Sequence, residues 1–346
     1  MKPTQQTTLP RDERSKLYTP EIQELNFDLG GADNESKSEH NLLLEFDFGE
    51  NSSKAHTSAI NIPLSPIDAE NYVERWLYSG PVSYDHSGDV IRARCADFIV
   101  FATQLEYENC IEVRKATHAA YKQILDSLSD HPEFQLARMW NYLGDINAGD
   151  EHQERYRQFS IGRAEAFQDA GIDDQETPAG TCIGTPENTG LTVVGLASRN
   201  KFVPVENPLQ VSAYDYPPQY GPKSPKFTRS GFVRNSKGAL LLVSGTAAVV
   251  GHESLFPYQT EPQTEVMLKN LKTLTQEAGT RENGMEINDF DRNSCLKVYL
   301  RDIADYPRVR DLLSNTLAIP QSRVAYLQGD ICRRELMVEI EGSMVV

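Results

Sequence analysis

The strongest constraint on the fold is an internal repeat. Two stretches follow the same order: strands, a helix, a strand, a second helix and two closing strands. In the first, strands over 89–104 end in Phe98-Ile99-Val100-Phe101-Ala102-Thr103. A helix over 112–128, a strand over 136–145, a helix over 152–170 and strands over 181–184 and 191–197 follow. In the second, strands over 229–235 and 239–250 lead to a helix over 263–278, a strand over 295–302, a helix over 306–316 and strands over 322–327 and 335–341. Tyr142-Leu143-x-Asp145-Ile146 matches Tyr299-Leu300-x-Asp302-Ile303, Val100-x-x-Thr103 matches Val243-x-x-Thr246, and Pro178 matches Pro320. Such a chain buries its helices by laying each pair on one face of a sheet. The expected fold class is therefore α+β, with two domains, each a mixed β-sheet with two helices packed on one face. The expected divisions are a polar N-terminal arm over 1–40, an N-terminal domain over 41–200, a Pro/Tyr-rich linker over 201–228 and a C-terminal domain over 229–346. Ahead of the first repeat, a strand is expected over 42–48. A helix is expected over 65–76, with Ser65 as N-cap and Pro66 in its first turn.

The copies differ in their charges. Aligned by these motifs, the first has Thr181 where the second has Arg323, and Val194 where the second has Glu339. The closing strand Met337-Val338-Glu339-Ile340-Glu341 alternates, with Val338 and Ile340 on one face and Met337, Glu339 and Glu341 on the other. Taken alone, those acids read as a solvated outer face. Charge kept in one copy of a duplicated scaffold points instead to a site in that copy.

Composition limits the function classes. With 50 acidic and 34 basic residues the formal charge is −16, which disfavours nucleic acid and anionic membranes as partners. An anionic small ligand would need positive charge gathered locally. The five cysteines are scattered without a C-x-x-C pair, as expected of reduced thiols in a cytoplasmic protein. The histidines form no ligand cluster, so no metal is expected. No apolar run approaches the roughly 18 residues of a membrane span, and the first residues are polar.

Several side chains stand out. On the helix over 152–170, Tyr156, Phe159, Arg163, Phe167 and Ala170 share one face, which places Arg163 within the stripe that should be buried. A buried guanidinium requires an anion, either one of the chain's own acids or the carboxylate of a ligand. Arg301 lies opposite Leu296, Val298 and Leu300, and Arg323 opens the next strand. Gly245 interrupts an apolar strand and marks a bulge or the close approach of a ligand. Cys332 follows a Gln328-Gly329-Asp330 turn. Tyr216 and Tyr220 sit in a proline-stiffened stretch, as a wall against a ligand or as packing between domains. Phosphate-loop, dinucleotide, nucleophile-elbow and zinc motifs are absent.

The second repeat, with Ser244-Gly245, Arg323 and Glu339-Ile340-Glu341, resembles the RidA (YjgF-like) family over about 229–346. Members are trimers with small-molecule pockets between subunits. From about residue 40 onward the chain also resembles the chorismatases. The likeness is carried by Arg138-Met139-Trp140-Asn141-Tyr142, Glu154 to Phe167, Pro178-Ala179-Gly180-Thr181 and Tyr214 to Arg229. It implies two RidA-like domains and conversion of chorismate with release of pyruvate, without metal or organic cofactor. It implies that Glu339 protonates the enolpyruvyl methylene, that Arg163, Arg301 and Arg323 hold carboxylates, and that Tyr216 and Tyr220 cover the ring. Gly245 and Cys332 resemble the members that form 3-hydroxybenzoate, some of which also form 4-hydroxybenzoate. Hydrolytic members, which form a dihydroxycyclohexadiene carboxylate, tend to carry Ala and an aliphatic residue there. A hydrolytic chorismatase, a RidA-like imine deaminase and a non-catalytic metabolite-binding module remain alternatives. The repeat leaves the oligomeric state open between monomer and homotrimer.

Overall fold

The computed structural model describes residues 15–18, 41–49, 59–235, 238–281, 287 and 290–346. The arm expected over 1–40 lies outside these, except for Ser15–Tyr18 (β1), which pairs in parallel with Asn71–Tyr78. The strands that follow are Asn41–Phe48 (β2), Ala59–Ile62 (β3), Ser65–Pro66 (β4), Asn71–Tyr78 (β5), Ser83–Ser87 (β6), Val90–Arg94 (β7) and Phe98–Leu105 (β8). Helix Val113–Ser129 (α1), strand Gln135–Gly144 (β9), helix Arg155–Asp169 (α2) and strands Ala179–Thr185 (β10) and Leu191–Ser198 (β11) complete the first repeat. After Phe202–Val205 (β12), the second repeat runs through Ser230–Asn235 (β13), Gly238–Ala247 (β14), Val249–Val250 (β15), Glu253–Ser254 (β16) and helix Thr260–Arg281 (α3). It ends with Ser294–Leu300 (β17), helix Tyr306–Thr316 (α4), Val324–Gln328 (β18) and Val338–Val345 (β19).

The repeat folds as two α+β halves. One sheet has the order β10-β9-β11-β8-β7-β6 and the other β12-β13-β14-β19-β17-β18-β4. Each helix pair packs on one face: Ile124, Phe159 and Phe167 against Phe101 and Leu143, and Leu271, Leu274 and Leu313 against Leu241, Val298 and Ile340. Ladder register corrects the repeat alignment by two residues. Thr192 pairs with Tyr142 as Glu339 pairs with Tyr299, and Ile183 pairs with Tyr142 as Leu327 pairs with Tyr299. Thr192 is therefore the counterpart of Glu339, Val194 that of Glu341, and Ala179 that of Arg323. A slip of an even number keeps every side chain on its face, so the alternation alone did not reveal it.

The helix expected over 65–76 is not formed. Ser65–Pro66 pairs with the edge of β18, and Asn71–Tyr78 is a strand in a four-stranded sheet ordered β1-β5-β2-β3. Tyr72, Glu74, Trp76 and Tyr78 alternate inward along it. A helix cap contributes about 1 kcal/mol, whereas burying a tryptophan and two tyrosines on one strand face contributes several times more.

The faces of the large sheets that carry no helices turn toward each other and toward this small sheet, and a third core fills the space between them. Phe46 and Trp76 from the small sheet both meet Trp140 edge-on at 5.4 Å. Lys297 of β17 enters the same core, 4.8 Å from the Phe46 ring centre. Its ammonium lies 2.5 Å from Glu74 and 2.9 Å from Glu341. Arg138 of β9 binds the other oxygen of Glu341. Glu74 and Glu341 balance Lys297 and Arg138, so the buried cluster is neutral. Lys297→Ala leaves two carboxylates with one cation and is expected to lower stability by about 3–5 kcal/mol, measured as a shift in the denaturant midpoint. Removing one charge of each sign is expected to cost clearly less.

Candidate active site

The first half's edge strand β10 runs along the bulged part of β14. Gly180 N–H donates to Ser244 Oγ at 2.8 Å, and Gly245 N–H donates to Thr181 Oγ1 at 2.9 Å. Further along, Gly184 and Asp330 exchange backbone hydrogen bonds of 2.7 and 3.1 Å. The seam so formed carries Glu339 of β19, which is buried. Ladder pairing of β14 with β19 shifts register between Val243 and Thr246, so Ser244 and Gly245 form a bulge. The glycine follows from close approach: a Cβ on Gly245 would collide with Glu339 Oε1 and come within 3.2 Å of Thr181 Cγ2. The bulge reading of Gly245 therefore holds, and the group that approaches it is the chain's own Glu339 carboxyl.

A cavity of ≈510 Å³ opens beside this seam. Tyr156 and Arg157 of α2, Tyr216, Tyr220 and Phe227 of the proline-rich stretch, and Arg229, Ala247, Cys332 and Arg333 of the second half all line it. Both repeats and the connection between them thus contribute walls. Tyr216 and Tyr220 pack 5.6 Å apart, and the Arg333 guanidinium lies 3.8 Å over the Tyr220 ring. Arg229 Nη2 donates to Tyr216 Oη at 2.5 Å and to Val211 O at 3.0 Å, while its buried Nε has no partner. Arg333 donates to His252 O at 2.9 Å and Ser254 Oγ at 3.0 Å. Arg157 instead pairs with Glu154 at 3.0 Å, and Arg334 with the same acid at 3.6 Å. Among the described residues, Arg229 and Arg333 are the lining arginines without an ion pair to a carboxylate.

Electrostatics set Glu339 apart. Burial, reinforced by Glu341, raises its carboxyl to about 8 against the pull of Arg138 and Arg229. It is therefore largely protonated at neutral pH. It lies within electrostatic reach of Arg229 and Cys332, both on the cavity wall, and of Tyr156. The Cys332 thiol is pushed up to about 12 by burial and by Glu339, which makes it a neutral, soft wall rather than a nucleophile. Among the described residues, no three or more His, Cys, Asp or Glu side chains are gathered as a metal site requires.

Cys332, Tyr216 and Tyr220 line the cavity, whereas Glu339 and Gly245 stand against each other without lining it, Glu339 within electrostatic reach of Cys332. The arginines expected from the sequence fare differently. Arg163 is buried as its helical position implied, although Ala170 at the end of that stripe is exposed. It stacks 4.9 Å from Phe159, its Nε and Nη2 lack partners, and it stands beside Tyr156 and Cys182 without reaching the cavity wall. Arg301 is occupied in shaping the loop that carries Cys332. It pairs with Asp330 and donates to the carbonyls of Ile331 at 3.1 Å, Arg333 at 3.3 Å and Leu336 at 3.1 Å, and to Asn147 at 3.0 Å. Arg323 lies next to Cys295, four residues along β18 from the level of Glu339, roughly 13 Å away. Neither Arg301 nor Arg323 lines the cavity. Arg229 and Arg333 take those places and were not singled out from the sequence. The one signal for them was the Arg333-Arg334 doublet directly after Cys332 in a chain poor in bases.

The profile described as "Chorismatase FkbO/Hyg5-like, N-terminal" matches residues 74–197. A "3-hydroxybenzoate synthase" of Streptomyces hygroscopicus is 32% identical over 80% of this chain and 82% of its own length. The chain belongs to the chorismatase family. A "Chorismatase" of Streptomyces rapamycinicus is 34% identical over 79% of this chain and 82% of its own length. A crystal structure of a chorismatase superposes with a TM-score of 0.75 at 27% identity, covering 91% of this chain and 96% of that one. No helix among the described residues is long and apolar enough to cross a membrane.

The raised Glu339 carboxyl has a consequence for stability. A carboxyl titrating near 4.5 unfolded and about 8 folded favours the fold most below pH 4.5. That contribution declines across the window from 4.5 to about 8 and is lost above it. Relative to Glu339→Gln, the wild-type chain is therefore expected to lose stability as pH rises through this window, at up to about 1.4 kcal/mol per pH unit. Denaturant unfolding of both proteins at pH 5, 7 and 9 measures it.

Proposed function

We propose that this chain converts chorismate to 3-hydroxybenzoate and pyruvate, with Glu339 as the proton donor. The supporting observation is the buried Glu339, its carboxyl raised to about 8, within electrostatic reach of Cys332 and Arg229 in the wall of a cavity whose lining arginines Arg229 and Arg333 lack carboxylate partners. Chorismate brings two carboxylates, a diene ring and an enol ether. The cavity volume of ≈510 Å³ suits a ligand of that size. Arg229 and Arg333 hold the carboxylates, and Arg163, with two unpartnered nitrogens behind Tyr156, supports the same end of the site. Tyr216 and Tyr220 cover the ring.

Transfer of the Glu339 proton to the enolpyruvyl methylene leaves an oxocarbenium ion. The adjacent ring-carbon–oxygen bond then breaks and releases pyruvate. In the 3-hydroxybenzoate route the ring's own 4-hydroxyl oxygen, giving up its proton, attacks that carbon in place of water. Its original bond to C4 then breaks, the hydrogen on C3 leaves as a proton to restore the aromatic ring, and the oxygen now on C3 regains a proton. The atoms of chorismate then divide between pyruvate and 3-hydroxybenzoate with none added. Gly245 and Cys332 favour this route by keeping the wall beside Glu339 small and soft, and a relative named for the 3-hydroxybenzoate product matches over most of the chain. The absence of C-x-x-C pairs and the free thiols suit a cytoplasmic enzyme.

Incubation with chorismate is expected to yield 3-hydroxybenzoate and pyruvate. Glu339→Gln is expected to lower pyruvate release by three orders of magnitude or more, the upper part of the range for general acid catalysis. A dihydroxycyclohexadiene carboxylate in place of an aromatic product would overturn the elimination route. Ammonia release from a 2-imino acid, with indifference to chorismate, would overturn the substrate. Because the acid must be protonated, kcat/KM is expected to fall as pH rises through about 8. In the double substitution Gly245→Ala/Cys332→Val the new Cβ displaces the Glu339 carboxyl, so total pyruvate release is expected to fall while the product that remains moves from 3-hydroxybenzoate toward the hydrolytic diol, read by chromatography.

A further inference from the structure

Glu341 follows Glu339 by two positions on the same face of β19, so the two carboxyls stand side by side on the seam. Glu341 is fully buried and does not line the cavity. Its setting is nevertheless built in detail. Lys297 Nζ lies 2.9 Å from one oxygen and Tyr299 Oη donates to the same oxygen at 2.6 Å, while Arg138 Nη2 binds the other. Thr181 Oγ1 accepts from Arg138 at 2.6 Å and from Gly245 N–H at 2.9 Å, leaving its own hydrogen to donate to Glu341. Burial opposes the charge of Glu341, but Lys297, Arg138, Thr181 and Tyr299 outweigh it and hold the carboxyl below the ordinary range. Apolar side chains would fill this volume at no cost in desolvation. A charge kept there in spite of that cost needs an electrostatic reason.

We infer that Glu341 is a positioning residue for the proton transfer assigned to Glu339: its fixed negative charge keeps the neighbouring carboxyl in the donating form. Thr181 links the pair mechanically, because the peptide it binds at Gly245 is the one against which Glu339 rests. The groups facing Glu339 come from every surrounding element. They are Glu341 on its own strand, Tyr299 opposite it on β17, Arg138 on β9, Cys182 on β10, Tyr156 on α2, Arg229 at the start of β13 and Cys332 in the loop after β18. Of these, the arginines favour the ionised form of Glu339, and Glu341 is the permanent charge that opposes them. The arrangement also resets the site. Once Glu339 has given its proton to the substrate methylene, two carboxylates stand side by side, and Glu339, the one without cations on both oxygens, takes back the proton lost by the substrate's ring hydroxyl.

This inference rests on the assignment of Glu339 as donor, and the test separates the two. The pH dependence of kcat/KM for pyruvate release from chorismate is measured on the full chain. Glu341→Gln is expected to move the alkaline limb to lower pH by roughly one unit or more. That variant leaves Lys297 and Arg138 short of a counter-charge, so the charge-balanced Glu341→Gln/Lys297→Met is measured beside it. Lys297 lies opposite Glu341 on the ladder and not opposite Glu339, and a downward shift is again expected. Carbon-13 titration of the Glu339 carboxyl, assigned by comparison with Glu339→Gln, is expected to show the same shift without substrate. A limb and a titration that stay in place in either folded variant overturn the role of Glu341 and leave Glu339 as donor. A wild-type chain that releases no pyruvate, or a Glu339→Gln chain that still does, overturns the donor assignment instead.

Discussion

The structure is organised around the ammonium of Lys297, buried where three sheets meet. β17 supplies it, the small sheet supplies Glu74, Phe46 and Phe48, and β19 supplies Glu341. Arg138 and Trp140 arrive from the other half. A single buried charge is costly, and the cluster is tolerable only because its charges cancel and its hydrogen bonds are nearly all made. Its geometry ties the halves together: moving either sheet would leave a charge in the core without its partner.

The seam outward from that cluster becomes progressively less satisfied. Glu341 is held by two cations, a tyrosine and a threonine. Glu339, two residues on, meets a glycine and pairs along the ladder with Ala247 of the cavity wall, within electrostatic reach of the Cys332 thiol, without lining the cavity itself. Arg229, on the cavity wall, carries a guanidinium nitrogen with no partner, as do Arg163 away from the wall and Arg138 within the cluster. Groups deep in the seam are fixed and charged, and those at its mouth are buried but open to a ligand. That gradient lets a carboxyl remain protonated in a protein rich in acids, because local burial and one neighbouring charge decide its state while the formal charge of −16 does not.

Much of the fold was legible because periodicity survives duplication. The helices and strands of both repeats lie within a few residues of where alternation and turn signals placed them. The failures were local. Ser65-Pro66 carried a helix-start signal, but Tyr72, Trp76 and Tyr78 at even spacing supplied the larger burial term and made a strand. The repeat alignment slipped by two because a strand pattern is unchanged by an even shift. Of the groups in and behind the cavity wall, Glu339, Gly245 and the two tyrosines were singled out because each is out of place for its element, and Cys332 through the family resemblance alone. Arg229 and Arg333 were not, since an arginine at a strand start or in a loop looks like any surface base.

The amino-acid sequence by itself determined the duplicated α+β scaffold, the face on which Glu339 and Glu341 lie, and the absence of their charges from the other copy, where Thr192 and Val194 stand. Those are consequences of periods of two and 3.6 residues along one chain. Which arginines face the cavity, and which carboxyl is protonated, only the tertiary structure decided. Arg301 and Arg229 are alike as residues; one is enclosed by backbone carbonyls and the other opens on the cavity. Glu339 and Glu341 share a strand and a face, and differ because Lys297 and Arg138, distant in sequence, reach the second and leave the first to burial.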